Sequence, residues 1–183
     1  MNDMNEVKTL LTIDFDADQE GAQPFWYTKR SEVGKGMEPA SLDLTAGSMM
    51  TVVVRGRALK PPTLRDFKVV EFVLVSQPQI DICDGEYVTF SLPSPIGDQN
   101  QACHAVAWTD GPRPPAEGED HDDKVEKWLK NPMKIGQTNG RWMLRVMLTV
   151  AIQRGTGTVS SKRVFSFDVW TNVVGGKGAA ETA

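Results

Sequence analysis

Asp14, Asp16 and Asp18 stand at alternate positions, the spacing with which an EF-hand loop begins to gather carboxylates around calcium. Such a loop also needs glycine at its sixth position and glutamate at its twelfth. This chain has Gln19 and Phe25 there, so the run reads as a strand end entering an acidic loop. The densest acidic cluster is Glu117, Glu119, Asp120, His121, Asp122 and Asp123. Divalent sites draw their ligands from separate rigid elements, and a continuous run fits a solvated loop and helix start better, so no metal is expected.

Only two histidines, His104 and His121, are available as bases for a serine or cysteine nucleophile. His104 directly follows Cys103 in a predicted strand, where neighbouring side chains point to opposite faces; a dyad between them is disfavoured. No G-x-S-x-G occurs, and Ala46-Gly47-Ser48-Met49 lacks the second glycine. Gly34-Lys35-Gly36 runs into Met37, and Gly155-x-Gly157 falls in a turn between strands, so neither is a phosphate-binding fingerprint. The expectation is no catalytic residue and no cofactor. Cys83 and Cys103 are too few and too far apart for structural zinc and read as free thiols.

Three charged residues sit among apolar neighbours on predicted strands: Glu71, which alternation groups with Val69, Val73 and Val75, and Arg145 and Asp168. A carboxylate there is costly to bury unless paired, so each is either half of an ion pair, exposed at a sheet edge, or part of a hydrolytic site. The aromatic run Phe25-Trp26-Tyr27, with Arg30 close behind, is the candidate ligand-binding set: aromatic rings beside polar and cationic groups stack on sugars. The same run also fits a strand whose alternate rings fill the core.

The elements that must hold these residues are strands. From Trp142 to Gln153 apolar and other residues alternate for twelve positions, a glycine turn follows, and Val159 to Val174 returns with Phe165, Phe167 and Val169 on one face; this is a β-hairpin. Val7 to Phe15, Ser41 to Leu44, Met49 to Arg55 and Phe67 to Ser76 read as strands, with weaker candidates at Tyr87 to Leu92 and Ala102 to Thr109. Asp120 to Lys130 reads as one short helix laid over the sheet, with acids first, lysines later and Pro132 beyond. The expected fold is all-β: an antiparallel β-sandwich, jelly-roll or Ig-like, with that helix. A single domain spans residues 1–174, and 175–183 form a disordered tail.

Composition agrees with a globular chain of 183 residues, 40% hydrophobic and 24% charged. A net charge of −4 argues against nucleic acid and anionic membrane surfaces as partners. No stretch approaches the roughly 20 apolar residues of a membrane span, and the first residues lack the form of an export signal, so a cytoplasmic protein is expected.

The order of features resembles that of the AidA/PixA family of bacterial inclusion-body proteins. The matching segments are the strand ending in Ile13-Asp14, Phe25-Trp26-Tyr27, Ser41-Leu42-Asp43-Leu44 leading through Ala46-Gly47 to Arg55-Gly56, and the closing hairpin with Phe165-x-Phe167-x-x-x-Thr171. Leu59-Lys60-Pro61-Pro62 and residues 98–115 depart from that pattern. The resemblance implies a β-sandwich and a cytoplasmic, non-enzymatic protein, and carries over no catalytic residue. The resulting expectation is a homo-oligomer acting by self-association, or by binding a protein or carbohydrate partner. The Met-bearing hairpin face, Met143, Met147 and Ala151, is the expected contact, because it is less polar than a solvated face should be.

Overall fold

The computed structural model describes residues 7–28, 41–57, 64–78, 94–96, 102–104, 107–111, 124–136, 140–154 and 158–175. They form eleven strands: β1 (Val7–Asp16), β2 (Phe25–Thr28), β3 (Leu42–Thr45), β4 (Met49–Arg57), β5 (Asp66–Pro78), β6 (Ala102–His104), β7 (Trp108–Asp110), β8 (Lys124–Leu129), β9 (Met133–Lys134), β10 (Gly140–Arg154) and β11 (Thr158–Val174). One sheet has the order β2-β1-β4-β8-β7 with β9 also on β4, and the second has the order β3-β11-β10-β5-β6. The protein is all-β.

The alternation seen in sequence decides which side chains meet between the sheets. Leu11, Ile13 and Phe15 of β1, Met50, Val52 and Val54 of β4, and Leu144, Val146, Leu148 and Val150 of β10 join one core cluster. Phe15 of the first sheet meets Phe67 of the second edge-on, with ring centroids 5.1 Å apart, and lies 5.7 Å from Phe165. Gly56 lies under this cluster, where a Cβ would come within 2.9 Å of both Leu64 and Phe15; only glycine lets the ring pack so close to β4. The chain crosses from one sheet to the other at Thr45–Ser48. There Ser48 N donates to Thr45 O, and Gly47 takes φ 76°, which glycine adopts without strain.

The hairpin is as expected, β10 pairing β11 from Gly140↔Val173 to Arg154↔Thr158. Two expectations need correction. The sandwich is not purely antiparallel, since β1 runs parallel to β4 and β3 parallel to β11. Period-two alternation reports a buried face and says nothing of strand direction. The predicted Asp120 to Lys130 helix is absent where described: residues 124–129 are β8, paired with β4 from Val53↔Trp128 to Arg57↔Lys124. The true pattern there is Val125, Lys127 and Leu129 inward. Lys127 conceals it, because a core-facing lysine is 8% exposed, held by Asp66 at 2.8 Å and Asp110 at 2.5 Å, with its ammonium 5.7 Å from the centroid of the Phe67 ring. Pro132, read as a helix stop, instead sits between β8 and β9. The ladder breaks there because proline has no N–H to offer.

Residues 87–92, 112–123 and 176–183, which include the first weak strand candidate, the whole acidic cluster and all but the first residue of the predicted tail, lie outside the described residues. No helix among the described residues is long and apolar enough to cross a membrane.

Candidate functional site

Each sheet has one face in the core and one facing away from it, and, Trp26 apart, the described charged and aromatic candidates divide between the two outward faces. On the six-stranded sheet, β2 places the aromatic run. Trp26 pairs with Ile13 and enters the core at 6% exposure, whereas Phe25 and Tyr27 face outward opposite Asp14 and Thr12. Their rings lie 5.9 Å apart, tilted by 36°. Arg30 lies outside the described residues.

The row Phe25–Asp14–Arg55–Glu126 crosses β2, β1, β4 and β8. Arg55 donates through Nε to Glu126 Oε1 at 2.6 Å and through Nη1 to the Tyr27 hydroxyl at 2.5 Å, and its Nε is 3.9 Å from Asp14 Oδ1. Arg57 also donates to Asp14, and Trp128 Nε1 donates to Glu126 Oε2 at 3.1 Å. Asp14 is buried. Burial, then the charge of Asp14, raises the Tyr27 pKa above its ordinary value, outweighing the nearby arginines. Burial alone would lower the Arg55 pKa, but Asp14, Tyr27 and Glu126 together hold it above the ordinary value. These groups bind one another across four strands, so this is an interlock between strands.

Behind it, the Asp14-to-Asp18 run ends in a clamped turn. Asp16 Oδ1 accepts from Asp18 N at 2.7 Å. Arg154 donates to Asp18 at 3.0 Å, and Arg163 donates to the carbonyls of Asp16, Ala17 and Gln19. These arginines come from the hairpin of the other sheet, so the acidic loop ties the two sheets together. Among the described residues no cluster of three or more His, Cys, Asp or Glu could hold a metal ion.

The outward face of the five-stranded sheet is different. Six large apolar side chains among the described residues are exposed: Phe25, Val70, Met147, Val164, Trp170 and Val174. All but Phe25 belong to β5, β10 and β11. Their rows follow from the register: Trp170–Met143–Gln77, then Asp168–Arg145–Val75, then Ser166–Met147–Val73, then Val164–Thr149–Glu71, then Lys162–Ala151–Lys68. Trp170 is 51% exposed and Val164 74%.

Arg145 and Asp168 face each other directly across β10 and β11 and form a bidentate, exposed pair at 2.8 and 3.0 Å. The Arg145 hydrogen bond lowers the Asp168 pKa. Glu71 is also exposed. The register shifts between Thr149↔Glu71 and Val150↔Val69, leaving Val70 as a bulge that changes which residues share a face, so Val69 packs on the core while Glu71 points outward. Cys103 pairs with Leu74 at the β6 edge of this sheet, and Cys83 and His121 lie outside the described residues.

The candidate site is this open apolar face. Its signal is present in the sequence, since Val164 and Trp170 alternate with the core residues Phe165 and Val169, but it is plainer in the Met residues of β10. The Arg55 interlock had no local signal, because its partners are 28 and 71 residues away. Comparison of the chain with family models and with curated proteins gave no match.

Proposed function

We propose that this chain is a non-catalytic, cytoplasmic β-sandwich that works by self-association, in keeping with its resemblance to the AidA/PixA proteins, and that the outward face of the five-stranded sheet is its contact surface. One observation carries the reading: five of the six exposed large apolar side chains among the described residues share that sheet. Scattered single apolar residues need no explanation, but a run of them over neighbouring strands on one face marks an interaction surface. Trp170 and Met147 suit the role, as tryptophan and methionine are enriched where proteins meet.

A carbohydrate-binding reading has narrower support, from the exposed ring of Phe25. Trp26 is committed to the core and the Tyr27 hydroxyl to Arg55. A hydrolase built on Glu71 would have to work from an exposed strand position. Sedimentation velocity of the full chain from low to high micromolar concentration tests the proposal. Association is expected, and Trp170→Ser with Val164→Ser should shift the protein to monomer with an unchanged circular-dichroism spectrum. A protein that stays monomeric throughout, before any substitution, overturns the reading.

A further inference from the structure

The partner's geometry can be taken further, on the basis of the association just proposed. We infer that two copies meet through the five-stranded sheet about a two-fold axis that runs along the strands between β10 and β11, with Arg145 of each copy against Asp168 of the other.

A two-fold axis lying in the interface and parallel to the strands leaves each row at its own level and exchanges β11 with β10. Asp168 then lies over the second copy's Arg145, Trp170 over its Met143, Ser166 over its Met147, Val164 over its Thr149 and Lys162 over its Ala151, since these are the cross-strand partners within one copy. Along β10 and β11 every charge meets an opposite charge or a neutral residue, and the Trp170 ring meets a thioether, a favourable contact. The alternative axis, across the strands through the same row, reverses β11 upon β11. It stacks Asp168 on Asp168 and Arg145 on Arg145. Like charges brought together in an interface cost several kcal/mol, so the face selects the first arrangement.

The overlap is modest, because β3 has four residues and β6 three. β5, β10 and β11, which alone run the full rows from Lys162 to Asn172, cover roughly 33 Å by 14 Å at ordinary rise and spacing, a footprint of roughly 460 Å². That is below the about 800 Å² per partner of a standard interface and fits a weak, concentration-dependent association. Two sheet faces stack with their strands within about 30° of each other, as a strand-parallel axis requires.

The test uses two charge reversals at these exposed positions. Asp168→Arg makes the pair doubly basic, and Arg145→Asp makes it doubly acidic. Each variant alone should associate about tenfold or more weakly than the unmodified protein, a change of about 1.4 kcal/mol or more. An equimolar mixture of the two should recover association, because each basic pair then faces an acidic one, and circular dichroism checks that each variant is folded. If the unmodified protein associates but the mixture is no better than either variant alone, the geometry is wrong while the association stands. If the unmodified protein does not associate, the association itself is wrong.

Discussion

The two outward faces are built from the same alternating strands yet treat charge in opposite ways. On the six-stranded sheet Asp14, Thr12, Thr51 and Val53 are buried although they point away from the core, and Arg55 links Tyr27, Asp14 and Glu126 across four strands. On the five-stranded sheet Arg145 and Asp168 form an exposed pair with no buried partner, Lys68, Glu71 and Lys162 lie toward one end of the face, and Trp170, Met147 and Val164 are open around them. A polar network that is bonded across strands and partly shielded from water stabilises its own fold and offers little to a partner. An exposed ion pair within an apolar face adds little to the fold and is free to fix the register of a second molecule. Abundance of charge is thus a poor guide to the working surface. What matters is whether a charge is buried among its partners, as Asp14 is, or left open to a second molecule, as Arg145 and Asp168 are.

The largest expected effect comes from breaking the interlock. Arg55→Ala leaves Asp14 and Glu126 without the guanidinium between them and releases the Tyr27 hydroxyl, and Asp14 is only 6% exposed. Removing one member of a buried charged group costs about 3 kcal/mol or more, read as a fall in the denaturant midpoint. Arg55→Ala should leave association of the remaining folded protein unchanged. A loss of association without loss of stability would reverse the roles assigned to the two faces.

Much of this fold was legible because it rests on local alternation. β10 and β11 could be placed from Trp142, Leu144, Val146 and Leu148 with their returning partners, and the inward positions of Phe165 and Val169 followed. Three features were hidden for separate physical reasons. Lys127 occupies a core position through the length of its stem and its two aspartates, so β8 lost its period and looked helical. The bulge at Val70 moved Glu71 out of register with Val69, which no composition rule anticipates. The parallel pairings β1 with β4 and β3 with β11 depend on how the chain crosses between sheets, beyond the reach of any single strand's pattern. The candidate face was half legible: Met147 stood out, and Trp170 and Val164 needed the paired register.

An intermediate effect should appear at alkaline pH. Burial and Asp14 raise the Tyr27 pKa above 10.0, and for Lys127 the hydrogen bonds and charges of Asp110 and Asp66 outweigh burial and raise it above 10.5. Both groups therefore keep their protons longer in the folded chain than in the unfolded one. Their contribution is complete below those ordinary values and is lost as the pH rises through the folded ones. Thermal melts should show stability falling above about pH 10, with a shallower fall in Tyr27→Phe because only the Lys127 part remains. Identical slopes in the two proteins would mean that burial and Asp14 do not raise the Tyr27 pKa.

The smallest effect on stability belongs to the pair proposed to matter most for association. The Arg145 hydrogen bond lowers the Asp168 pKa below 3.8, so its contribution is present above the ordinary carboxylate value and fades as the pH falls through the folded one. Both side chains are open to solvent, where water and salt screen the pair, so that contribution is small. Melting temperatures of the unmodified chain and of Asp168→Asn, taken between about pH 5 and pH 2 at a concentration where each is monomeric, should nearly superimpose. At concentrations where the unmodified chain associates, the same substitution should weaken association, because it removes the charge that the second copy's arginine would meet. If Asp168→Asn instead lowered the stability of the monomer as much as Arg55→Ala, the pair would be a structural interlock like the one on the opposite face, and the contrast between the two faces would disappear.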